Sequence, residues 1–337
     1  MPTIKEVSRH AKVSPATVSR VLNGTVPVAT DTKKRVLDAV EKLNYQPNAF
    51  ARGLVTNRSG GIGVVVNEIS SPYYSGIVRG IEHVVEAAGM HLIVSSSHAD
   101  ARLEQRAAEY LLQRRADALI LHLETVSDAE LLQWLEQNLP VDMPVVIVGR
   151  YVAELEDACI CLDNEKGGFL ATQHLLEHGH RHIAHITGPL GMKDSRDRLQ
   201  GYRRALEAAG LVYDEAYVVE ADFNEDGGAL AAERLLARGL ELSAIFSAND
   251  QMAAGILHTL RANGLDVPND ISIVGYDDVF IARYLYPALT TIQQPLWKMG
   301  EAAAHLALAA LNRQEREVKR NFEPELVVRQ SVARLAD

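Results

Sequence analysis

The sequence has only two cysteines and no long run of uncharged apolar residues. With cysteine limited to Cys159 and Cys161, a disulfide framework is excluded and a reducing compartment is expected. No apolar run approaches the ~18 residues that cross a membrane. The first residues, MPTIKEVSRHAK, carry charges throughout and lack the apolar centre of a signal peptide. We therefore expect a cytoplasmic protein with no membrane partner.

Motifs that carry catalysis or hold a cofactor are also missing. The sequence has no G-x-S-x-G, no P-loop and no H-E-x-x-H pattern. The glycine-rich stretch at 60–63 precedes a predicted strand, whereas a dinucleotide-binding fingerprint follows one. Histidines are frequent between 174 and 185, but this stretch spans a helix end, a glycine and a strand start, so the rings diverge. We expect no enzyme activity, no cofactor and no metal site.

Length and charge indicate a molecule of unequal parts. At ~150 residues per domain, 337 residues form two or three domains. The composition, 47% hydrophobic and 23% charged, is that of a globular protein and excludes a disordered chain. Residues 1–60 contain ten Lys and Arg against four Asp and Glu, a balance of +6, which leaves −16 on the rest of this −10 chain. We therefore expect the basic segment, and not the acidic body, to meet a polyanion.

The basic segment has the pattern of three short helices. The first covers 4–11 and has Thr3 as its cap; the second covers 15–22 and has Ser14 as its cap. An apolar stripe indicates a third helix at about 31–43. Two short helices joined by a tight turn, followed by a packing helix, make a helix-turn-helix, whose second helix enters the major groove of DNA. An ordinary three-helix bundle would have the same pattern.

The residues of this segment resemble a known family. TIKEVSRHAKVSPATVSRVLNG and LNYQPNAFARGL are similar to the head of the lactose/galactose-repressor (LacI/GalR) family of bacterial transcription regulators. The resemblance implies a DNA-binding domain at 1–46 that reads double-stranded DNA. It implies these contacts: Pro15, Ala16 and Arg20 toward the bases, Thr17, Ser19 and Asn23 toward the phosphates, and Thr3 and Ser14 at the helix starts.

Residues 47–60 correspond to the linker of that family. The resemblance implies a hinge helix that enters the minor groove, where Leu54 would wedge between base pairs and Asn48 and Arg52 would belong to the DNA contacts. Apolar wedges that unstack and kink the duplex are an established minor-groove mechanism. Gly53 lowers helix propensity by ~1 kcal/mol relative to alanine, which a hinge that folds only on DNA tolerates. A plain solvated linker is the alternative.

Residues 61–337 alternate between apolar strands and amphipathic helices. This alternation implies an α/β body, with parallel sheets covered by helices on both faces. A first series of strands is followed by a second that begins near Cys159. Two such sheets make a cleft, and ligands bind outside the carboxyl ends of parallel strands. The predicted strands lie at 62–66, 91–95, 118–121, 145–148, 159–162, 183–186, 218–219, 244–246 and 271–275.

The family resemblance continues through this body, in stretches such as GHRHIAHITGP, RLQGYRRAL, AIFSANDQMAAG and ISIVGYDD. It implies a two-lobed fold like that of periplasmic sugar-binding proteins, used for effector binding and dimerisation. The first lobe would hold about 61–160 and 293–325, and the second about 161–292 and 326–337. SPYYSGIVRGIE, ICLDN and TTIQQP are most similar to the galactose-repressor branch, without identifying one sugar.

The resemblance also places a small effector between the lobes. Arg198, Asn249 and Asp277 match the family's ligand-binding positions, and their donors and acceptors suit the hydroxyls of a hexose or hexoside. An ion pair that only braces the lobes is the alternative for Arg198 and Asp277. The other candidates are Tyr73, Tyr74, Phe223 for stacking on a pyranose face, and Asp163, which is equally suited to cap a helix. Leu296 stands where some members place an aromatic ring over the ligand.

Together these features predict a homodimeric transcriptional repressor of sugar-utilisation genes at the bacterial nucleoid, released from a palindromic operator by a small sugar. A repressor with a purine corepressor is the alternative within the family, since two tyrosines could sandwich a base. A sugar-binding transport receptor or a sugar-acting α/β enzyme would share the body without needing a basic head. The C-terminus has no leucine heptad, so we expect a dimer without a tetramerising tail.

Overall fold

The computed structural model describes residues 2–23, 27–45 and 59–335, with the backbone only at Asn23. The chain divides into two compact units, Met1–Gly60 and Gly61–Asp337. None of the described helices has the length and apolar character that spanning a membrane requires.

The first unit contains helices α1 (Ile4–Ala11), α2 (Pro15–Asn23) and α3 (Thr30–Lys42). Each helix contributes one fully buried valine, Val7, Val18 and Val36, to a small apolar core. At the start of α1, the Glu6 carboxylate accepts hydrogen bonds from the backbone N–H and the hydroxyl of Thr3. The helix-turn-helix prediction is confirmed, with helix bounds within one residue of those expected.

The second unit alternates strands and helices through most of its length. Its strands are β1 (Gly61–Val66), β2 (His91–Ser96), β3 (Ala118–Leu121), β4 (Val145–Val148), β5 (Cys159–Leu162), β6 (Ile183–Thr187), β7 (Val218–Glu220), β8 (Ala244–Ser247), β9 (Ser272–Asp277), β10 (Thr290–Gln293), β11 (Asn321–Phe322) and β12 (Glu325–Val327). Its helices are α4 (Pro72–Ala87), α5 (Ala101–Gln113), α6 (Asp128–Asn138), α7 (Asn164–Glu177), α8 (Lys193–Ala208), α9 (Glu225–Leu236), α10 (Asp250–Ala262) and α11 (Leu296–Leu311).

These strands form two six-stranded sheets, each the centre of one lobe. The first sheet has the order β11-β5-β4-β3-β1-β2, and the second has the order β12-β10-β9-β8-β6-β7. All neighbours are parallel except β10 and β12, which are antiparallel. The chain passes from one sheet to the other after β5, after β10 and after β11, so three adjacent connections join the lobes. The predicted two-lobed α/β body is confirmed.

One predicted strand belongs to the other sheet. The alternation assigns Cys159–Leu162 to the second series, and this is wrong, because β5 pairs in parallel with β4, Ile147 lying opposite Cys159. A buried parallel strand has the same apolar pattern in either sheet, so alternation cannot assign it. The predicted elements also end at residue 275, whereas the structure adds β10, α11, β11 and β12.

Glycines let helices within each lobe approach closely. In the first lobe a Cβ on Gly80 of α4 would lie 2.2 Å from the carbonyl oxygen of Trp297 in α11. In the second lobe a Cβ on Gly168 of α7 would lie 2.2 Å from the carbonyl oxygen of Arg198 in α8. The close approach of α7 and α8 therefore fixes the backbone from which Arg198 extends.

Candidate functional site

A cavity of about 180 Å³ lies between the lobes, where the strands of both sheets end. It exceeds the ~150 Å³ that encloses a benzene ring, so a single sugar ring is a ligand of suitable size. Both lobes contribute to its wall. The first lobe supplies Asn67, Glu68, Ser71, Tyr73, Tyr74, His98, Ala99 and Glu124; the second supplies Met192, Asp194, Arg198, Asp222, Phe223, Asn224, Asn249, Gln251 and Asp277.

Arg198 is the buried cation of this cavity, with 3% of the residue exposed. Its Nε donates to Asn164 Oδ1 at 2.9 Å, and its Nη1 donates to the carbonyl oxygen of Ala248 at 2.6 Å. The guanidinium carbon lies 3.9 Å from the centre of the Tyr276 ring. These three contacts fix the plane of the guanidinium, and its Nη2 lies 3.9 Å from the Asp277 carboxylate.

Asp277 ends β9 with its carboxylate buried in the cavity wall. Its Oδ1 accepts a hydrogen bond from Gln294 Nε2 at 2.7 Å. Burial raises the pKa of Asp277 to about 7, although Arg198 acts in the opposite direction. Its φ of 104° is in the left-handed region, which is uncommon for a residue other than glycine. Such backbone strain concentrates at binding sites.

Asn249 holds the loop that carries Phe223. Its Oδ1 accepts from the N–H of Met252 at 2.8 Å and caps α10, while its Nδ2 donates to the carbonyl oxygen of Phe223 at 2.9 Å. Phe223 has a positive φ of 68°. A Cβ on Gly188 would lie 2.1 Å from the Phe223 ring, so the glycine makes room for that ring. The amide of Asn249 thus links a helix start to an aromatic wall of the cavity.

Tyr73 and Tyr74 lie in the first turn of α4. Their ring centres are 4.9 Å apart and their planes are inclined by 85°, so they meet edge to face. The Tyr73 hydroxyl lies 3.2 Å from His122 Nε2, and the Tyr74 hydroxyl donates to Glu124 Oε1 at 3.1 Å. Inclined rings do not present the two parallel faces between which a purine base would lie.

Two positions considered from the sequence lie outside the cavity wall. Asp163 is exposed, and its carboxylate accepts from the N–H of Lys166 at 2.8 Å, which makes it the cap of α7. The next residue, Asn164, is the one that contacts Arg198. Leu296 is buried at the start of α11 and packs in the core of the first lobe. The cap explanation of Asp163 therefore accounts for its contacts.

Glu124 and Asp194 belong to the wall but were not predicted. Glu124 follows β3 and is the only acid in the six residues after the predicted strand 118–121, which was the available signal. Asp194 lies in the first turn of α8, which begins at residue 193. Its Oδ2 lies 3.7 Å from Arg198 Nη2.

The cavity has more acids than cations. Burial raises the pKa of Glu124 to about 7 and the pKa of Asp194 to about 6. His122 does not compensate, because burial lowers its pKa to about 4 and the ring is neutral at pH 7. The wall therefore has five acids beside Arg198: Glu68 and Glu124 from the first lobe, and Asp194, Asp222 and Asp277 from the second. The arrangement suits a ligand rich in hydrogen-bond donors.

In the head, the predicted DNA-reading residues lie along α2. Pro15, Ala16 and Arg20 are exposed, and Thr17 and Ser19 are half-buried. Ser14 Oγ accepts from the N–H of Thr17 at 3.1 Å and so caps α2. The exposed residues are therefore available to a major groove. The side chains of Asn23, Asn48, Arg52 and Leu54 lie outside the described residues.

The histidine-rich stretch and the cysteines have structural contacts. His180 lies 3.1 Å from Ser243 Oγ and 3.2 Å from the carbonyl oxygen of Ala333. His185 stacks on Phe246 with ring centres 4.3 Å apart. Across residues 2–23, 27–45 and 59–335, no three His, Cys, Asp or Glu side chains are grouped to hold a metal ion. Cys159 and Cys161 are both free thiols.

Comparison with protein families matches both units. Residues 3–48 match the family described as bacterial regulatory proteins, lacI family. Residues 172–332 match the periplasmic binding protein-like domain. The first match covers the helix-turn-helix, and the second covers most of the second lobe and the returning segments.

Similar proteins cover the whole chain. The HTH-type transcriptional regulator GalR of Escherichia coli K12 is 39% identical over 335 residues, which are 99% of this chain and 96% of that protein. The HTH-type transcriptional repressor PurR of Vibrio campbellii is 37% identical over 338 residues, with 99% and 100% covered. Relatives similar over nearly the whole chain thus include both a regulator named GalR and a repressor named PurR.

Solved structures agree with the fold. The lac repressor dimer bound to operator and the anti-inducer ONPF matches with a TM-score of 0.87 at 28% identity, over 98% of this chain and 99% of that one. The transcriptional regulator CelR in complex with cellobiose matches with a TM-score of 0.72 at 35% identity, over 98% and 100%. The chain belongs to the lacI family of bacterial regulatory proteins and is a DNA-binding transcriptional regulator.

Proposed function

We propose that the protein is a homodimeric repressor of sugar-utilisation genes in the bacterial cytoplasm, released from a palindromic operator by a hexose or hexoside. The observation that carries this proposal is the cavity between the lobes, in which Arg198 is held rigidly beside Asp277. A fixed guanidinium donates to neighbouring hydroxyls, and a carboxylate accepts from others. The cellobiose bound by the similar regulator CelR supports a sugar as the class of effector.

The residues proposed to contact the effector surround this pair. Phe223 supplies an aromatic face for the apolar side of a pyranose, and Asn249 holds Phe223 in position. Tyr73 and Tyr74, which meet edge to face, line the cavity from the opposite lobe. A ligand that touches both walls binds one relative arrangement of the lobes better than another. Such differential affinity shifts the conformational equilibrium, with a coupling of typically ~1–3 kcal/mol.

DNA binding is proposed to use both the head and the linker. The second helix of each head would read one half of the operator, with Pro15, Ala16 and Arg20 toward the bases. Asn48, Arg52 and Leu54 are proposed to act in the minor groove at the operator centre, where an apolar wedge kinks the duplex. Effector binding would separate the two linkers of the dimer and lower the affinity for the operator.

A purine corepressor is the second candidate, because PurR of Vibrio campbellii is 37% identical over nearly the whole chain. The edge-to-face arrangement of Tyr73 and Tyr74 counts against it, since a base sandwiched between rings needs parallel faces. Purine bases are therefore included in the effector screen. A purine that strengthens operator binding would replace the sugar proposal.

The test begins with the full-length protein and a random DNA library. Selected duplexes should be palindromic, and affinity measured by fluorescence anisotropy should fall steeply between 50 and 200 mM salt, as phosphate neutralisation requires. Arg20→Ala should cost about 1–3 kcal/mol at one base pair of each half-site. Selection of unrelated sequences with no common motif would contradict the proposal.

The effector is then sought by thermal shift with hexoses, hexosides and purine bases. A ligand at 100 times its Kd adds about 2.7 kcal/mol to the free energy of unfolding. The sugar that produces this shift should also lower affinity for the selected operator. A sugar that stabilises the protein and leaves operator affinity unchanged would contradict induction.

A further inference from the structure

Glu124 and Asp194 are acids of opposite lobes that lie where the lobes meet. Each side chain is 14% exposed. Both line the effector cavity, and both also line a neighbouring cavity of about 350 Å³. The charge of Glu124 also contributes to raising the pKa of Asp194. Two acids from opposite lobes therefore line the same two cavities.

Glu124 has no cationic partner. Its Oε1 accepts from the Tyr74 hydroxyl at 3.1 Å and lies 3.4 Å from His122 Nδ1, on a ring that is neutral at pH 7. No lysine or arginine nitrogen of the described residues lies within 4.0 Å of this carboxylate. Asp194 has only Arg198 Nη2, at 3.7 Å, and shares it with Asp277. One guanidinium thus serves two acids, and the third has none.

The cations of the neighbouring cavity make their closest contacts with other groups. Arg150 donates through Nη1 to the carbonyl oxygen of Val126, and its Nη2 lies 3.6 Å from Asp128, while its buried Nε and Nη2 have no hydrogen-bond acceptor in the described chain. Lys193 pairs with Asp197. Arg196 donates to the carbonyl oxygens of Leu190 and Gly191. None of the three neutralises Glu124 or Asp194 at hydrogen-bond distance.

The same wall holds a buried donor without an acceptor. Asn67 is 3% exposed, and its Oδ1 accepts from Ser97 Oγ at 2.9 Å. Its Nδ2 faces the Tyr74 hydroxyl but reaches no acceptor with hydrogen-bond geometry in the described chain. A buried unpaired amide is costly, so it indicates a missing ligand with oxygen acceptors. The wall is therefore complementary to a ligand that has both a cationic group and hydroxyl oxygens.

We propose that the effector is an amino sugar, whose ammonium group lies between Glu124 and Asp194 and whose hydroxyls face Arg198 and Asp277. This inference rests on the sugar-responsive function proposed above and specifies its ligand. An ammonium group makes charge-assisted hydrogen bonds to carboxylates of both lobes. It replaces repulsion across the cleft with attraction, so the group that identifies the ligand also draws the lobes together.

Other charge classes fit this wall less well. A sugar phosphate or a uronic acid would add negative charge to a wall that already has five acids. A neutral hexose would satisfy Arg198 and Asn67 but would leave Glu124 without a cation. An N-acetylated amino sugar keeps the ring and the nitrogen but lacks the charge. This last compound is therefore the matched control.

The inference predicts tighter binding of the amino sugar as pH rises from 5.5 to 7. Because burial raises the pKa of Glu124 to about 7 and of Asp194 to about 6, both acids lose protons in this window and gain attraction for an ammonium. The affinity for a neutral hexose should change much less over the same pH range. The charged and titratable groups that face these acids are Tyr73, Tyr74, Glu104, His122, Arg150, Asp197, Arg198 and Asp277.

The experiment is calorimetric titration of the full-length protein with glucosamine, galactosamine and mannosamine, each against its parent hexose and its N-acetyl form. At pH 7 one amino sugar should bind at least tenfold more tightly than both of its neutral counterparts. Glu124→Gln and Asp194→Asn should each remove most of that preference, because they lower affinity for the amino sugar more than affinity for its parent hexose. Glu154 is an exposed acid of the first lobe, and Glu154→Gln should leave the preference for the amino sugar intact.

The outcomes separate this inference from the proposed function. If a parent hexose binds as tightly as its amino sugar and releases operator DNA, the amino-sugar inference is overturned and sugar-responsive repression stands. If no sugar of either kind binds or affects operator affinity, both are overturned. A preference that survives in Glu124→Gln and Asp194→Asn, with both variants folded by thermal unfolding, overturns the assignment of the ammonium to these carboxylates.

Discussion

The two lobes build their walls of the cavity in different ways. The second lobe presents Arg198 in a fixed orientation, because contacts from α7, β9 and the end of β8 hold its guanidinium. The first lobe presents Tyr73, Tyr74 and a carboxylate, Glu124, without a cation at hydrogen-bond distance. The cation of one wall is oriented before a ligand arrives, whereas the acid of the other wall is expected to gain its cation from the ligand. The second lobe therefore mainly orients the ligand, whereas contacts with the first lobe draw the two lobes together.

Arg198→Met tests the wall of the second lobe and should have the largest effect of the variants proposed here. It leaves the carbonyl of Ala248 unpaired, leaves Asn164 with only the Tyr276 hydroxyl, and removes the cation beside Asp194 and Asp277, which costs about 3–5 kcal/mol. Effector binding should be lost to titration calorimetry. Thermal unfolding measures the stability. Arg204→Met on the same helix removes an exposed pair with Glu165 and should cost less than about 1 kcal/mol; equal losses would show that Arg198 is no more than a surface cation.

Alanine at the helix crossings compares the lobes directly. Gly168→Ala and Gly80→Ala each place a Cβ 2.2 Å from a backbone oxygen and should destabilise by about 1–3 kcal/mol or more. Only Gly168→Ala displaces the backbone of Arg198, so only it should also weaken effector binding in the surviving folded protein. Gly191→Ala meets no atom within 4 Å and is the control. Equal loss of affinity in both crossing variants would contradict the division of roles.

Glu124→Gln should stabilise the ligand-free protein above pH 7. Burial raises the pKa of Glu124 from its ordinary 4.5 to about 7, so the folded state holds a proton that the unfolded state releases between these values. Stability from this group is present below pH 4.5 and lost as pH rises to 7. The glutamine should gain about 1–3 kcal/mol at pH 8 and nothing at pH 4, measured by denaturant unfolding. A gain independent of pH would contradict a charge effect.

Asp163→Ala should have the smallest effect. It removes the cap of α7 and should cost about 1 kcal/mol of folding free energy. Asp163→Asn keeps an acceptor and should cost little. Effector affinity should be unchanged in both, because the carboxylate lies outside the cavity wall. A tenfold loss of affinity in Asp163→Asn would return this residue to the binding site.

The sequence predicted the fold and much of the cavity wall, but it did not predict which acids of the wall would lack a cation. The head, the two-lobed body and six residues of the cavity wall, Arg198 and Asp277 among them, follow from family patterns at fixed spacing. Glu124 and Asp194 do not, because their importance depends on which acids lie without a cation after folding. Asp194 and Arg198 lie one helical turn apart on α8, so the helix brings their side chains together at the wall. Alternation likewise could not place β5, since strand pattern carries no information on the neighbouring strand.

The three crossings between the sheets determine when each lobe can finish folding during synthesis. The first lobe lacks α11 and the edge strand β11 until residue 322 has been added, and the second lacks β12 until residue 327. Neither lobe can be completed while a large part of the other is still missing. A ribosome therefore releases a chain whose two lobes finish folding almost together. A premature stop before β11 leaves both lobes, and not only the last one, incomplete.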